Sequence, residues 1–191
     1  MYALLNESLV VSILDPVADA NRLGARYCAG GYIYQVDDRV LGALISGPGY
    51  PAEPFPPVFD GQGLPEAFMN PLGPEGLAPA GPMGQPLDDE PALKFGVGVM
   101  RPKTFQVLEP CVWQVEQSVG ALRMTAQHAW KGWAAALERT VTLCNRTLTS
   151  ATSFTNTCGR AIPLRWFPHP FYPPVPSGEC CKFSIPISFP D

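Results

Sequence analysis

Residues 122–130 read LRMTAQHAW, and their alternation decides the fold. Leu122, Met124, Ala126, His128 and Trp130 fall in one phase, and Arg123, Thr125, Gln127 and Ala129 in the other. A period of two sends successive side chains to opposite faces, so this stretch reads as a strand with one face toward a core. Just downstream, LERTVTL (137–143) and TLTSATSF (147–154) read as successive strands joined by a short turn at 144–146. Both are rich in threonine, which suits a pleated surface. Toward the start, 9–14, 32–36 and 40–45 read as strands, with Asp37-Asp38 as the turn before the last of these. Near the end, 182–190 sets Phe183, Ile185, Ile187 and Phe189 on one side and Pro186 on the other; proline cannot donate to a ladder, which points to an edge strand or a bulge. The best helix candidate is 130–139, although it holds Gly132 and lacks a cap. The expected fold is all-β, a single domain over 1–191 whose repeated short strands favour a sandwich or a barrel.

Between residues 47 and 91 the character changes. This span holds 12 of the 23 prolines and 8 of the 18 glycines, so regular sheet is not expected there. Its apolar residues, among them Phe59, Leu64, Phe68, Met69 and Leu72, are too many for a solvated tether. An ordered excursion lying across the sheets is expected, a kind of loop that often walls a binding site.

The chain has 191 residues, 46% hydrophobic and 16% charged, which suits a globular protein. Its net charge is −4 and its basic residues are scattered, which argues against a nucleic-acid partner. No apolar run approaches the roughly 18–20 residues of a membrane span. The opening MYALLNESLVVSIL has no basic start, so a cytoplasmic protein with reduced thiols is expected. The six cysteines show no CxxC spacing, and Cys180-Cys181 alone makes a poor metal motif. Gly96 and Gly98 lack the further glycine and the helix of a phosphate loop, and no serine nucleophile elbow is present. Neither a metal nor a cofactor is expected.

Two histidines bear on chemistry. His128 alternates with core residues and reads as a satisfied core histidine. His169 sits between Pro168 and Pro170 in IPLRWFPHPFYPP (162–174). An imidazole pinned beyond a strand end suits a general acid near neutral pH, and a loop histidine stacked on Phe171 or Tyr172 suits the same residues. Both readings stand on the residues alone.

The run LERTVTLCNRTLTSATSFTNTCGRAIPLRWFPHPFYP (137–173) resembles the middle of the aldose 1-epimerase, or galactose mutarotase-like, superfamily. The matching pieces are Thr155-Asn156-Thr157, Ile162-Pro163-Leu164 and His169-Pro170-Phe171-Tyr172. LGARYCAGGYIYQV (23–36) is similar to the family's opening and aligns Arg26 with an arginine near the sugar, and LKFGVGV (93–99) also looks like mutarotase-like chains. The resemblance implies a large β-sandwich that interconverts the α and β anomers of a hexose or hexose phosphate. A histidine protonates the ring oxygen while a carboxylate takes the proton of the anomeric hydroxyl. It places His169 as the general acid.

Two features depart from that family's pattern. Residues 1–127 contain no histidine to match its upstream sugar-binding one, and its late glutamate would lie beyond Asp191. Either the base comes from elsewhere, or the sequence is a piece of a longer chain, or there is no turnover. Replacement carboxylates are Asp60 and Glu66 in FDGQGLPEAF (59–68); the plainer readings are an Asp60-Gly61 turn and a short helix begun by Glu66. Glu109 and Glu179 read as surface charges. Arg26 or Arg165 would hold a hydroxyl or phosphate, and Trp166 and Phe171 would offer faces to a sugar. The leading expectation is an aldose 1-epimerase-like enzyme acting on a small-molecule sugar. The alternative is a non-catalytic carbohydrate-binding sandwich, and a third is a purely structural β-domain.

Overall fold

The computed structural model describes residues 1–20, 23–45, 62–82 and 84–173. The expected strand at 182–190 and the candidate Asp60 lie outside them. The chain opens as a meander of β1 (Tyr2–Leu5), β2 (Leu9–Ile13), β3 (Ile33–Asp38) and the short β4 (Gly42–Ala43), paired in that order. After β5 (Glu66–Met69) come β6 (Ala92–Lys94), β7 (Gly98–Arg101) and β8 (Gln106–Pro110), a three-stranded sheet of their own. Then β9 (Trp113–Ser118), β10 (Ala121–Trp130), β11 (Trp133–Cys144) and β12 (Thr147–Asn156) form the largest sheet by successive hairpins. Finally β13 (Arg165–Pro168) returns to pair with β5. Every pairing is antiparallel, so the fold is all-β.

The alternation read from the sequence is the alternation of burial. Along β10 and β11 every second residue is buried, with Leu122, Met124, Ala126 and His128 on one strand and Ala135, Leu137, Arg139 and Val141 on the next. This face meets Leu9, Val11, Ile13 and Ile33 of the first sheet in one apolar cluster. Two sheets that each bury one face against the other make a sandwich, and the removal of that apolar surface from water is the main term holding it together.

The helix expected over 130–139 does not form. Lys131 and Gly132 both have positive φ, 48° and 83°, and close a two-residue hairpin in which Trp130 faces Trp133. Such tight connections need that backbone, and the period of two then runs straight on through 133–144. Glu66 likewise opens a strand rather than a short helix. The turn assigned to Asp37-Asp38 falls slightly later: both residues belong to β3, and the Asp38 carboxylate accepts the N–H groups of Val40 and Leu41 at 2.8 and 3.0 Å. Those two hydrogen bonds, with Arg146 beside it, hold its pKa down at about 2.

Within the described part of the Pro/Gly-rich span, residues 63–68 and Leu72 pack against the sheets, whereas Leu77 and Leu87 stay exposed. Phe68 and Leu72 are fully buried, and Leu72 exchanges backbone hydrogen bonds with Leu93. Trp133 Nε1 donates to Gly73 O at 2.8 Å, and the Arg160 guanidinium lies 3.8 Å over the Trp133 ring while donating to Pro74 O. Cys28, Cys111, Cys144 and Cys158 are free thiols.

His128 is a core residue. Its Nε2 accepts the Gly96 N–H at 3.2 Å, lies 3.0 Å from Cys111 Sγ, and its ring meets Phe95 edge to face. Burial pushes the imidazole from 6.5 down to about 4. The unfolded chain therefore takes up a proton that the folded protein refuses across that interval. Stability present above pH 6.5 is lost as pH falls toward 4, by roughly 3 kcal/mol from this residue. Urea midpoints measured over that range should follow this arm in the wild type and lose it in His128→Gln.

Candidate functional site

Arg139 occupies an inward position on β11, between Leu137 and Val141, and is 1% exposed. A charge in that phase needs partners, because an unpaired buried cation is costly. Its Nε donates to Gly30 O at 3.3 Å, and one terminal nitrogen donates to Gly31 O and Ser150 Oγ at 3.2 and 3.1 Å. The other terminal nitrogen donates to Thr152 Oγ1 and pairs with Glu66 Oε1. The Gly30-Gly31 segment comes this close because it has no side chains. A Cβ on Gly31, whose φ is +65°, would sit 2.9 Å from Arg139 Nε.

Glu66 is brought to the guanidinium by β5. Its Oε2 accepts the Thr152 hydroxyl at 2.6 Å and the Trp166 indole N–H at 2.9 Å, and its Oε1 lies 3.5 Å from Ser150 Oγ. Five segments thus converge on one buried ion pair: the 30–31 turn, β5, the neighbouring strands β11 and β12, and β13. Above it opens a cavity of about 340 Å³. Its polar wall is Glu66, Ser150 and Thr152, and its apolar wall includes Trp166, Pro168, Pro170 and Tyr172.

That apolar wall follows from the period of two continuing past β13. The backbone N–H of His169 donates to Pro65 O and that of Phe171 to Gly63 O, both at 2.8 Å. Residues 165–171 therefore run antiparallel to 63–69, and the prolines fall where no donor is needed. The even residues Trp166, Pro168, Pro170 and Tyr172 line the cavity. Phe167, His169 and Phe171 form the other face, where Phe167 and Phe171 pack with Tyr27, Tyr32 and Ala67.

The sequence candidates consequently separate. Glu66 and Trp166 meet at 2.9 Å in the cavity wall. His169 is half-buried on the opposite side, its ring centroid 4.6 Å from Phe171, 5.7 Å from Phe167 and 5.9 Å from Tyr27. Its Nδ1 is buried and has no hydrogen-bond partner among the described residues. Arg165 is exposed and outside the cavity lining, and the exposed Arg26 lies over the Tyr27 ring at 5.5 Å. Arg139, Ser150 and Thr152 were not singled out from the sequence. The signal for Arg139 was legible, as a charge in the core phase of LERTVTL.

A larger depression of about 650 Å³ lies on the outer face of β9–β12, between Gln114, Arg123, Gln127 and Ser153. No aromatic ring lines it, and Arg123 is tied to Glu116 and Glu138 at 3.1 and 2.6 Å. Among the described residues no group of three or more His, Cys, Asp or Glu side chains is placed to hold a metal ion. No helix among them is long and apolar enough to cross a membrane. Compared with protein-family models, with curated proteins and with solved structures, the chain matches none.

The ion pair makes an asymmetric prediction about stability. Arg139→Met leaves the Glu66 carboxylate buried without its cation and should cost about 3–5 kcal/mol. Adding Glu66→Gln removes the stranded charge, so the double variant should recover most of that loss. Urea denaturation of the two variants measures both effects.

Proposed function

We propose that this chain is a carbohydrate-recognition β-sandwich domain whose site is the cavity between Glu66 and Trp166. The observation that carries this reading is the state of Trp166. The residue is 44% exposed, yet its indole N–H is fastened to Glu66 Oε2. A large apolar face is thereby held toward solvent, directly beside a carboxylate and two hydroxyls. Pyranoses present that pair of surfaces, apolar C–H faces for a ring and hydroxyls for acceptors. Tyr172, 47% exposed, supplies a second aromatic surface. A cavity of about 340 Å³ is at the small end of ligand sites, matching one sugar residue. The resemblance of 137–173 to mutarotase-like proteins supports the same ligand class.

The second reading is turnover of the aldose 1-epimerase type. The observation that favours it is the buried Nδ1 of His169, which has no partner among the described residues, since an unsatisfied buried polar atom often marks a functional position. Ring opening also needs a base facing the acid across the sugar. His169 points to the face opposite the cavity, and the four acceptor positions of Glu66 are met by Arg139, Ser150, Thr152 and Trp166. Recognition without turnover therefore has the stronger support.

Titration of the protein with methyl glucosides and methyl galactosides, which cannot mutarotate, should quench Trp166 fluorescence. Trp166→Ala should weaken binding about tenfold, the scale of a lost stacking contact together with its buried area. Polarimetry on fresh α-glucose and α-galactose should show the buffer rate. Acceleration by wild type that His169→Asn abolishes would establish the second reading instead, and absence of any sugar binding would overturn both.

A further inference from the structure

We infer that Glu66 makes this cavity selective for neutral polyols and turns away sugars carrying a carboxylate or phosphate. The inference rests on the carbohydrate reading and concerns which sugars that site takes. It comes from counting the donors and acceptors that face the opening. A guanidinium has five N–H donors, and those of Arg139 are directed to Gly30 O, Gly31 O, Ser150, Thr152 and Glu66. With 1% exposure the group has neither a spare donor nor a path to the ligand. Arg139 is thus consumed by the protein and cannot serve as an anion clamp.

The acceptor positions of Glu66 are already met, so what remains for a ligand is the hydroxyl groups of Thr152, Ser150 and Tyr172. Thr152 uses its hydroxyl proton on Glu66 Oε2 and accepts from Arg139, which leaves one lone pair. Ser150 Oγ accepts from Arg139 at 3.1 Å and turns toward Glu66 Oε1. Glu66 is the only charged side chain among the described residues lining the cavity. Such a wall is satisfied by hydroxyls, which can donate to Ser150 and Thr152 and accept from Tyr172, and a polyol carries one on nearly every carbon. An anionic group brings only acceptors, and it meets the Glu66 carboxylate on the lining while the compensating Arg139 is buried and outside it. Arg165, the nearest basic residue along β13, lies in the opposite phase to Trp166 and is not part of the wall.

The test uses the full chain and sets of sugars matched except at carbon 6. Methyl glucoside and methyl galactoside are each compared with their uronate and 6-phosphate by calorimetry at fixed ionic strength. The neutral member of at least one set should bind, with its charged counterparts at least tenfold weaker, and higher salt should narrow the gap. In the Glu66→Gln, Arg139→Met double variant, which carries no charge in this wall, the ratio should fall to about threefold or less. A charged member that binds as well as its neutral counterpart overturns the inference and leaves the carbohydrate reading standing. A ratio unchanged in the double variant removes Glu66 as its cause. If no member of any set binds, the carbohydrate reading falls and the selectivity with it.

Discussion

One ion pair joins parts of this protein that are distant in sequence. Arg139 and Glu66 are separated by the whole run of β6 to β10, yet each is the other's charge partner. A buried charge tolerates few arrangements, because every donor and acceptor must be met once water is gone. Meeting them draws the 30–31 turn onto the sheet, holds β5 against β12, and fastens the indole of β13. Apolar burial would tolerate small slips of these segments. The pair does not, and it gives the cavity its defined wall.

The same logic explains the proline-flanked histidine. Prolines at alternate positions are compatible with an antiparallel partner, provided that their missing N–H groups face away from it. Pro168 and Pro170 meet that condition, so the segment 165–171 can dock on 63–69 along one side only. The two faces then diverge, one becoming the exposed aromatic wall and the other a packed aromatic cluster. His169 shares its phase with Phe167 and Phe171, and that phase decides its surroundings.

Two other buried cations or bases show how the interior treats charge. Lys94 is nearly buried and donates to Ala25 O and Arg26 O at 2.8 and 2.9 Å, with no carboxylate in those contacts. Burial pushes its amine from 10.5 down to about 8. His128 is driven in the same direction by the same cause. Among the described residues only the Arg139–Glu66 pair sets two buried charges against each other, and a cavity opens beside it.

Much of the architecture could be read along the chain. The period of two in 122–130 and 137–143 specified strands and their buried faces, since side-chain direction in a strand is a local property of the backbone, and the threonines of 147–154 marked a third strand. Where local signals were ambiguous, as at Trp130–Arg139, a two-residue turn with positive φ at Lys131 and Gly132 decided for strand over helix. The candidate site was legible only in fragments. Glu66 and Trp166 could be named as residue types suited to a sugar, but nothing local places residue 66 beside residues 139, 152 and 166. His169 read as a loop residue because neighbouring prolines suggest one, and its phase along the docked segment places it on the face opposite the cavity. The sequence by itself determined the strands at 122–130, 137–143 and 147–154, the phases of the first two and an all-β fold, because these depend on the near neighbours of each residue. Only tertiary structure decided which charges meet and which aromatic faces stay open, because hydrogen-bond partners separated by a hundred residues are chosen by packing.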